Sequence, residues 1–419
     1  MMILNDNSSV NDEAAQSEIV KDLVGISLAK LSQDDFIIFP QNLNDSVDLD
    51  DSNYIFESSN YNVKTCNVVG LLKKGNDEIR ITSRFYETVG DSSDYFLRYL
   101  LQKVMNYNVI SNKVNLSEEK AYYDLLVYLF PVYLSSAMEK GIYKEYVKKQ
   151  YNDANIKGAI DIVRHIKSNI PFSGKVAYGT REFSLENKIT QLIRHTIEKL
   201  ELEYNFDFHS DENLKGNVRE IKQVTNNYSR IERLDVLQEN IINPVRHGYF
   251  EEYHQLQHLC IKILQENEVG FANENDEVNG IIIDVAWLWE EYIATLLTDF
   301  THPKSNESIY CDGGKGHVRP DFYNEQIVID TKYKHCEGSI KREDRFQIIS
   351  YLHYRNATKA GIVYPSSESI LKSEGKLKGM GGEIFKLSFK VPQRIESYDA
   401  FDSKMQESEE DFISKLKEL

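Results

Sequence analysis

The stretch VRPDFYNEQIVIDTKYK, residues 318–334, places two aspartates and a lysine within a run rich in β-branched residues. In a β-strand alternate side chains share a face, so Asp330 and Lys332 are predicted neighbours on one surface of a strand at residues 327–334. The intervening Asn-Glu-Gln is short enough to return the chain as a hairpin, which can bring Asp321 near Asp330. The stretch therefore predicts a strand pair that gathers two carboxylates and an ammonium group.

Three such side chains together indicate a site for a hard metal ion. Two clustered carboxylates repel each other unless a cation lies between them, and Mg²⁺ prefers one or two carboxylates together with water and phosphate oxygens. At such a site Lys332 can orient or deprotonate an attacking water, or stabilise charge on a phosphate, and the sequence leaves these roles open. The competing interpretation is a surface hairpin with a salt bridge, the usual outcome for isolated motifs of this kind.

The flanking segments favour the metal site over the plain hairpin. Before the hairpin, DVAWLWEEYIATLLTDF has an apolar stripe at helical spacing, with Glu290 at its edge and Glu291 pointing away from it. Glu290 is therefore the candidate third carboxylate, and Glu291 is interpreted as a solvated charge. After the hairpin, REDRFQIISYLHYR places Gln347 and Tyr351 on one helix face. They are candidates to contact a phosphate or to hold the lysine, although a polar helix edge is the alternative.

Length and charge limit the class of protein. The chain has 419 residues, which predicts two or three domains with substantial cores. Its formal net charge of -17 gives little electrostatic attraction for nucleic acid, so if it acts on DNA a partner is expected to bring it there. No apolar run is long enough to span a bilayer and the N-terminus is unlike a signal peptide, so a cytoplasmic location without membrane contact is expected. The four widely spaced cysteines favour neither a disulfide framework nor a zinc site.

Four segments are predicted along the chain. Residues 1–60 are expected to be variable and partly flexible, and residues 61–275 to contain short β-rich runs followed by helices. Residues 276–395 contain the helix, strands and second helix around the hairpin, and residues 396–419 form a tail or helix. The predicted fold class is mixed α/β and multi-domain, with a small β-containing N-terminal domain, a largely helical middle region and a C-terminal α/β core.

Within the middle region, helical spacing of apolar residues predicts helix up to about residue 150. Strands are predicted at residues 158–166 and 175–184, followed by a helix with Ser184 as its N-cap. Asp161, inside the first of these strands, is interpreted as a paired structural carboxylate rather than a catalytic one.

The order of the C-terminal elements, with LWEEY, RPDF, VIDTKYK, DRFQIISY and AGIVYP, resembles the PD-(D/E)xK nuclease core. Together with GIYKEYVKKQYNDANIKGAIDIVRHI and REFSLENKITQLI upstream, it resembles the McrC family, the nuclease subunits of McrBC-type modified-cytosine restriction systems, over about residues 90–365. The resemblance implies that Asp321, Asp330 and the helix carboxylate Glu290 bind Mg²⁺ and that Lys332 is the catalytic lysine.

The resemblance also implies a partner. A chain of this family is expected to cut DNA carrying modified cytosine, such as 5-methylcytosine, in complex with a McrB-like AAA+ hexamer that binds and hydrolyses GTP, with residues 61–275 docking on and stimulating the motor. This chain has no GxxxxGK[ST] phosphate loop, because GGKGH at residues 313–317 lacks the spacing and the Ser or Thr. GTP is therefore expected to bind the partner only.

Two alternatives stay open from the sequence. A stand-alone nuclease of the same superfamily, in restriction or repair, would cut DNA without nucleotide or partner. A non-catalytic interaction subunit would keep the nuclease fold as a scaffold only. His317, His335 and Cys336 flank the site without zinc-ligand spacing and are interpreted as incidental.

Overall fold

A computed structural model of the chain describes residues 2–31, 36–40, 53–59, 62–75, 77–87, 94–105, 118–209, 211–265, 278–310, 316–336, 338–379 and 381–419. The acidic stretch at residues 42–51, part of the segment predicted to be flexible, lies outside these residues. Among the described residues, no helix is both long enough and apolar enough to cross a membrane.

Strands and helices both occur throughout the described part of the chain. The strands are β1 (Met2–Asn5), β2 (Phe36–Phe39), β3 (Phe56–Ser59), β4 (Asn62–Thr65), β5 (Val68–Lys74), β6 (Asp77–Thr82), β7 (Glu145–Asp153), β8 (Ala159–Ile160), β9 (Val176–Ser184), β10 (Asn279–Asp284), β11 (Glu307–Ser308), β12 (His317–Val318), β13 (Phe322–Tyr323), β14 (Ile327–Thr331), β15 (Lys359–Ser366), β16 (Leu371–Lys376) and β17 (Glu383–Lys390). The helices are α1 (Asp12–Ala15), α2 (Glu18–Leu23), α3 (Leu28–Leu31), α4 (Tyr95–Met105), α5 (Glu118–Met138), α6 (Ile162–Asn169), α7 (Lys188–Glu203), α8 (Glu212–Val224), α9 (Arg233–Ile242), α10 (Glu251–Gln265), α11 (Val285–Leu296), α12 (Arg342–Arg355) and α13 (Tyr398–Lys417). The predicted mixed α/β class is confirmed.

The chain divides into two compact units. The first contains residues 1–106, 116–122 and 272–419, and the second contains residues 107–115 and 123–271. One sheet of the first unit has the strand order β1-β6-β5-β10-β2, so β10 pairs with strands from the start of the chain. The segment that leads into α11 is thereby held in the N-terminal sheet.

The second large sheet of the first unit carries the predicted hairpin. Its order is β13-β14-β15-β17-β16, with β14, β15 and β17 parallel and the two edge strands antiparallel. On one face, Ile362 and Ile384 share a core with Ile348 of α12. On the other face, Phe389 lies 5.7 Å from Trp289 of α11 and 5.5 Å from Phe412 of α13, measured between ring centroids. Helices therefore cover both faces, as is usual for parallel strands.

The second unit departs from the sequence prediction at two of its elements. The predicted helix up to residue 150 is wrong, because α5 ends at Met138 and Glu145–Asp153 is strand β7, paired with β9. The side chains of β7 alternate between exposed and half-buried, a period of two that outweighs the helical spacing. The predicted strand at residues 158–166 is also wrong beyond Ile160, where helix α6 begins.

The N-caps of helices α6 and α7 are Asp161 and Asn187, so the predicted cap Ser184 is wrong. Asp161 is the N-cap of α6, and its Oδ1 accepts a hydrogen bond from the Arg164 backbone N–H at 3.0 Å. Ser184 is the last residue of β9, whereas the N-cap of α7 is Asn187, which forms a capping box with Thr190. Both true caps have short polar side chains that satisfy otherwise unpaired backbone N–H groups of the first turn.

Candidate active site

The hairpin brings Asp321 to the end of β14. Strands β13 and β14 are antiparallel with Phe322 opposite Ile329, a register that brings Asp321 to the level of Asp330. Oδ2 of Asp321 accepts hydrogen bonds from the backbone N–H of Thr331 at 2.6 Å and from its hydroxyl at 2.7 Å. The tight turn predicted from the sequence thus places Asp321 beside the last residues of β14.

Asp330 is the most deeply buried of the predicted acids, with 1% of its surface exposed. Its Oδ2 lies 2.7 Å from Nζ of Lys332, close enough for an ion pair although it has no partner with hydrogen-bond geometry among the described residues. Burial, followed by the negative charge of Asp321, raises the pKa of Asp330 to about 7, against the opposing charge of Lys332. An ionised Asp330 therefore requires positive charge close by.

Lys332 is held from the other side by α12. Its Nζ donates to Oε1 of Gln347 at 3.1 Å, and Nε2 of Gln347 donates to the hydroxyl of Tyr351 at 2.8 Å. Burial opposes ionisation of Lys332, but the charges of Asp330 and Asp321 outweigh it and raise its pKa above the usual range. The side chain is an ammonium group fixed between an acid and an amide.

Glu290 reaches the same region from α11. Its Oε1 lies 3.2 Å from Nη2 of Arg319 and 3.9 Å from Nε2 of His302, and its side chain is 15% exposed. Burial and then the charge of Asp321 raise the pKa of Glu290 to about 7, while Arg319 and His302 oppose the rise. Asp321 acts electrostatically on both other acids, so the three carboxylates form one charge-coupled group.

The interpretation of Glu291 as a solvated charge is wrong. Its Oε1 lies 3.3 Å from Nε2 of His302 and 2.8 Å from Nζ of Lys304, and its side chain is only 23% exposed. Although burial raises the pKa of Glu291, hydrogen bonds from His302 and Lys304 lower it overall to about 2. Nδ1 of His302 donates to the backbone oxygen of Asp321 at 2.8 Å, because a carbonyl can only accept. Glu291 therefore braces the chain at Asp321 through a histidine.

All six residues singled out from the sequence line one cleft of about 520 Å³ in the first unit: Glu290, Asp321, Asp330, Lys332, Gln347 and Tyr351. The same cleft is lined by Asn7 and Asn67 from the N-terminal part of the chain and by Asp284 and Trp287 at the start of α11. Convergence of acids and a lysine in one concave site is a recognised mark of a functional site.

The acidic side chains of the cleft could hold a metal ion only as a sparse set of ligands. No group of three or more His, Cys, Asp or Glu side chains close enough to hold a metal occurs in the described part of the chain. Mg²⁺ does not need such a cage, since it keeps several waters and takes one or two carboxylates plus substrate phosphate oxygens. Asp321 and Asp330 supply two mutually repelling carboxylates, and Oδ2 of Asp330 is buried, with Nζ of Lys332 at 2.7 Å but no hydrogen bond from the described residues. These residues fit a sparsely ligated hard cation.

Several contributors at this site were not identified from the sequence. Arg319 and Thr331 are adjacent to the motif residues, and adjacency was the only signal available for them. His302 lies in a loop without periodicity, so nothing in the sequence connects it to Asp321. Asp284 is buried at the end of β10, where its Oδ1 caps α11 by accepting from the backbone N–H of Ala286 at 2.8 Å.

Comparisons with known proteins agree with this fold. Residues 63–365 match the family described as McrBC 5-methylcytosine restriction system component. A chain of the refined half-complex from a tetradecameric assembly of Thermococcus gammatolerans McrB AAA+ hexamers with bound McrC is similar, with 14% identity, TM-score 0.50 and coverage of 100% of this chain and 99% of that chain. At this identity the likeness shows the fold alone.

A second structure, that of the T. gammatolerans McrBC complex, matches 71% of this chain and 87% of that chain at 15% identity and a TM-score of 0.31, too low to support an argument. No curated protein matches the sequence significantly.

Proposed function

The chain belongs to the McrBC 5-methylcytosine restriction system component family, and we propose that it is the subunit that hydrolyses phosphodiester bonds of DNA carrying modified cytosine. The observation that carries the proposal is the position of Lys332, whose Nζ lies 2.7 Å from the buried carboxylate of Asp330 in a cleft shared with Asp321 and Glu290. Acids and a lysine at the end of β14 form a PD-(D/E)xK-type site for a metal-dependent endonuclease.

Asp321 and Asp330 would hold Mg²⁺, with Glu290 as the third carboxylate. When bound, the ion would polarise the phosphate and favour deprotonation of the attacking water. Lys332 has an acid and an amide oxygen as its neighbours, and both favour its ammonium form. Of the roles left open by the sequence, the contacts support charge stabilisation at the phosphate, where a preorganised cation is most effective. Gln347 and Tyr351 would position that cation.

The partner we propose is a McrB-like AAA+ GTPase hexamer that recognises the modified site, binds GTP and delivers the DNA. The net charge of -17 and the lack of a phosphate loop in the sequence support a division of labour in which this chain neither binds GTP nor finds DNA alone.

Residues 61–275 are proposed to dock on and stimulate that motor. In the second unit, apolar side chains of α6 and the segment after it are more than half exposed: Ile162, Val163, Ile166, Ile170 and Phe172. A contiguous apolar surface of this kind is typical of protein interaction sites, which supports docking through this region.

The proposal is tested with Asp330→Asn in the assembled complex, with GTP, Mg²⁺ and DNA containing 5-methylcytosine. We expect cleavage to fall by at least about a hundredfold, the scale for removal of one essential electrostatic group, while stimulation of the partner's GTP hydrolysis is retained. The matched control is Asp402→Asn on α13, where Asp402 accepts a hydrogen bond from Gln406 at 2.7 Å within the helix; it should cut like the wild type.

Three outcomes would contradict the proposal in different ways. Wild-type cleavage by the Asp330→Asn variant would remove Asp330 from the active site. Cleavage by the purified chain without GTP or partner would favour a stand-alone nuclease. Absence of cleavage by the wild-type complex on modified DNA, with GTP hydrolysis stimulated, would favour a non-catalytic interaction subunit.

A further inference from the structure

Trp287 is an aromatic side chain in the wall of the catalytic cleft. It lies in the first turn of α11, three residues before Glu290, so the two side chains occupy one face of the helix roughly 4 to 5 Å apart along its axis. Both line the cleft that contains Asp330 and Lys332. The indole is thus about one helical turn from Glu290, one of the acids of the proposed reaction.

Trp287 is not one of the buried residues of α11. The buried face of α11 consists of Val285, Leu288, Trp289, Tyr292 and Ile293, and Trp287 is partly exposed beside it. Trp289, two residues further on, is fully buried. The chain has two tryptophans, and they differ in environment, one packed in the core and one in the wall of a polar cleft.

The indole is nevertheless held firmly. The backbone N–H of Trp287 donates to the buried carboxylate of Asp284 at 3.1 Å, which fixes the first turn of the helix. Its ring packs edge to face against the buried Phe39, with centroids 5.2 Å apart and planes at 82°. An aromatic ring fixed on a rigid element and partly exposed in a cleft loses little conformational entropy when a ligand stacks on it.

We propose that Trp287 stacks on a nucleobase of the DNA strand next to the phosphate that is cleaved. This inference rests on the proposed function, which puts DNA in the cleft. Phosphates are the natural ligands of the cations there, whereas the base is the flat apolar part of a nucleotide and the part that pairs with an indole. Because bases in a duplex stack on one another, the inference requires that the strand is locally unstacked in the cleft.

Fluorescence tests the binding step without catalysis. Trp289 is buried, so quenching by bound DNA should report Trp287. We expect a short single-stranded oligonucleotide, added in Ca²⁺ instead of Mg²⁺ and at a concentration high enough to fill the cleft without the partner, to quench the fluorescence of the full-length wild type and not that of Trp287→Phe. An abasic oligonucleotide with the same number of phosphates should quench much less. Equal quenching by the two oligonucleotides would overturn the stacking assignment.

Cleavage by the assembled complex tests the consequence. One base stacked on an aromatic side chain contributes ~1–3 kcal/mol, so Trp287→Ala should raise the KM for DNA by about 5- to 150-fold. Trp287→Phe keeps a flat ring and should recover most of this loss, whereas Trp287→Leu keeps apolar bulk without a ring and should not.

If Trp287→Leu cuts like Trp287→Phe, the residue serves packing and the inference is wrong. If the wild-type complex cuts DNA and Trp287→Ala cuts it with unchanged KM, the inference is again wrong while the proposed function stands. If the wild-type complex does not cut DNA at all, the proposed function fails, and the two failures are therefore distinguishable.

Discussion

Lys332 and Lys386 are two lysines of the same sheet with different surroundings. Asp330 is in register with Ile362 of β15, and Ile362 is in register with Lys386 of β17, so Lys386 lies two strands away from Asp330 in one row. The side chain of Lys332 is 21% exposed and that of Lys386 is 2% exposed. One ammonium group borders the cleft, and the other is enclosed.

Their partners differ in kind. Lys332 contacts the side chains of Asp330 and Gln347. Lys386 donates to the backbone oxygens of Cys336, at 3.0 Å, and Gly338, and the carboxylate of Glu374 is farther away, at 3.6 Å. A substrate that enters the cleft can replace the side-chain partners of a lysine there. Backbone carbonyls of a loop, in contrast, keep their hydrogen bonds to a buried lysine. Burial of a charged group therefore does not by itself mark an active site, because its partners decide whether the charge can act on a substrate.

The variant Lys332→Met should have the largest effect on cleavage. Methionine keeps most of the apolar stem and removes the charge, so we expect cleavage by the assembled complex to fall about 10²- to 10³-fold, as for loss of one preorganised donor. Stability should change little, because Asp330, whose pKa is raised to about 7 by burial and by Asp321, can take up a proton. Cleavage rates and urea unfolding measure the two effects.

Lys372→Met is the control for this variant, because Lys372 lies in the same sheet and its side chain is 60% exposed. It should change neither cleavage nor unfolding. A Lys332→Met protein that cuts at more than a tenth of the wild-type rate would place the catalytic cation elsewhere.

Lys386→Met should show the reverse pattern. Loss of the ammonium group leaves two loop carbonyls without their donor and removes one of the two cations that lie 3.6 Å from Glu374, the other being Lys372. We expect the free energy of unfolding to fall by about 2–3 kcal/mol, the scale for a hydrogen bond to a charged group. Cleavage below the unfolding temperature should stay within a few-fold of wild type. A large loss of cleavage with unchanged stability would contradict the structural role of Lys386 and make it part of the active site.

An element of the fold is predictable from the sequence where local pattern and tertiary packing favour the same structure. Helix α12 spans residues 342–355, the segment REDRFQIISYLHYR that the sequence predicts to be helical. This segment is long and uninterrupted, so local pattern and tertiary packing agree. In β7 the two disagree, because Val147 and Tyr151 are four residues apart, a spacing that suits a helix and also places both side chains on one face of a strand, and pairing with β9 selects the strand.

For the candidate site, strand periodicity sufficed to place Asp330 and Lys332 on one face, and turn length sufficed to return Asp321. Contacts made through loops cannot be predicted in this way, because no local sequence pattern connects His302 to Asp321 or Lys386 to Cys336. The misreading of Glu291 has the same cause, since the residues that enclose it are His302 and Lys304 of the loop after α11. The roles of the site residues stay predictions.

The variant Gln347→Leu tests whether helix α12 positions Lys332. Gln347 links Lys332 to Tyr351, accepting from the lysine at 3.1 Å and donating to the tyrosine hydroxyl at 2.8 Å. Leucine keeps similar bulk without either hydrogen bond, while Asp330 still holds the ammonium group. We expect kcat to fall about tenfold, corresponding to loss of one hydrogen bond to a charged group, with KM unchanged because Gln347 acts through Lys332.

Tyr351→Phe is the graded companion of this variant. It removes only the hydroxyl that orients the Gln347 amide, so the contact between Gln347 and Lys332 persists and the expected loss in kcat is about twofold, within the range of a neutral hydrogen bond. A rise in KM for Gln347→Leu would mean that the amide touches DNA directly. Wild-type kcat in both variants would mean that Asp330 alone positions Lys332, and the difference between the two lysines would then rest on a single ion pair.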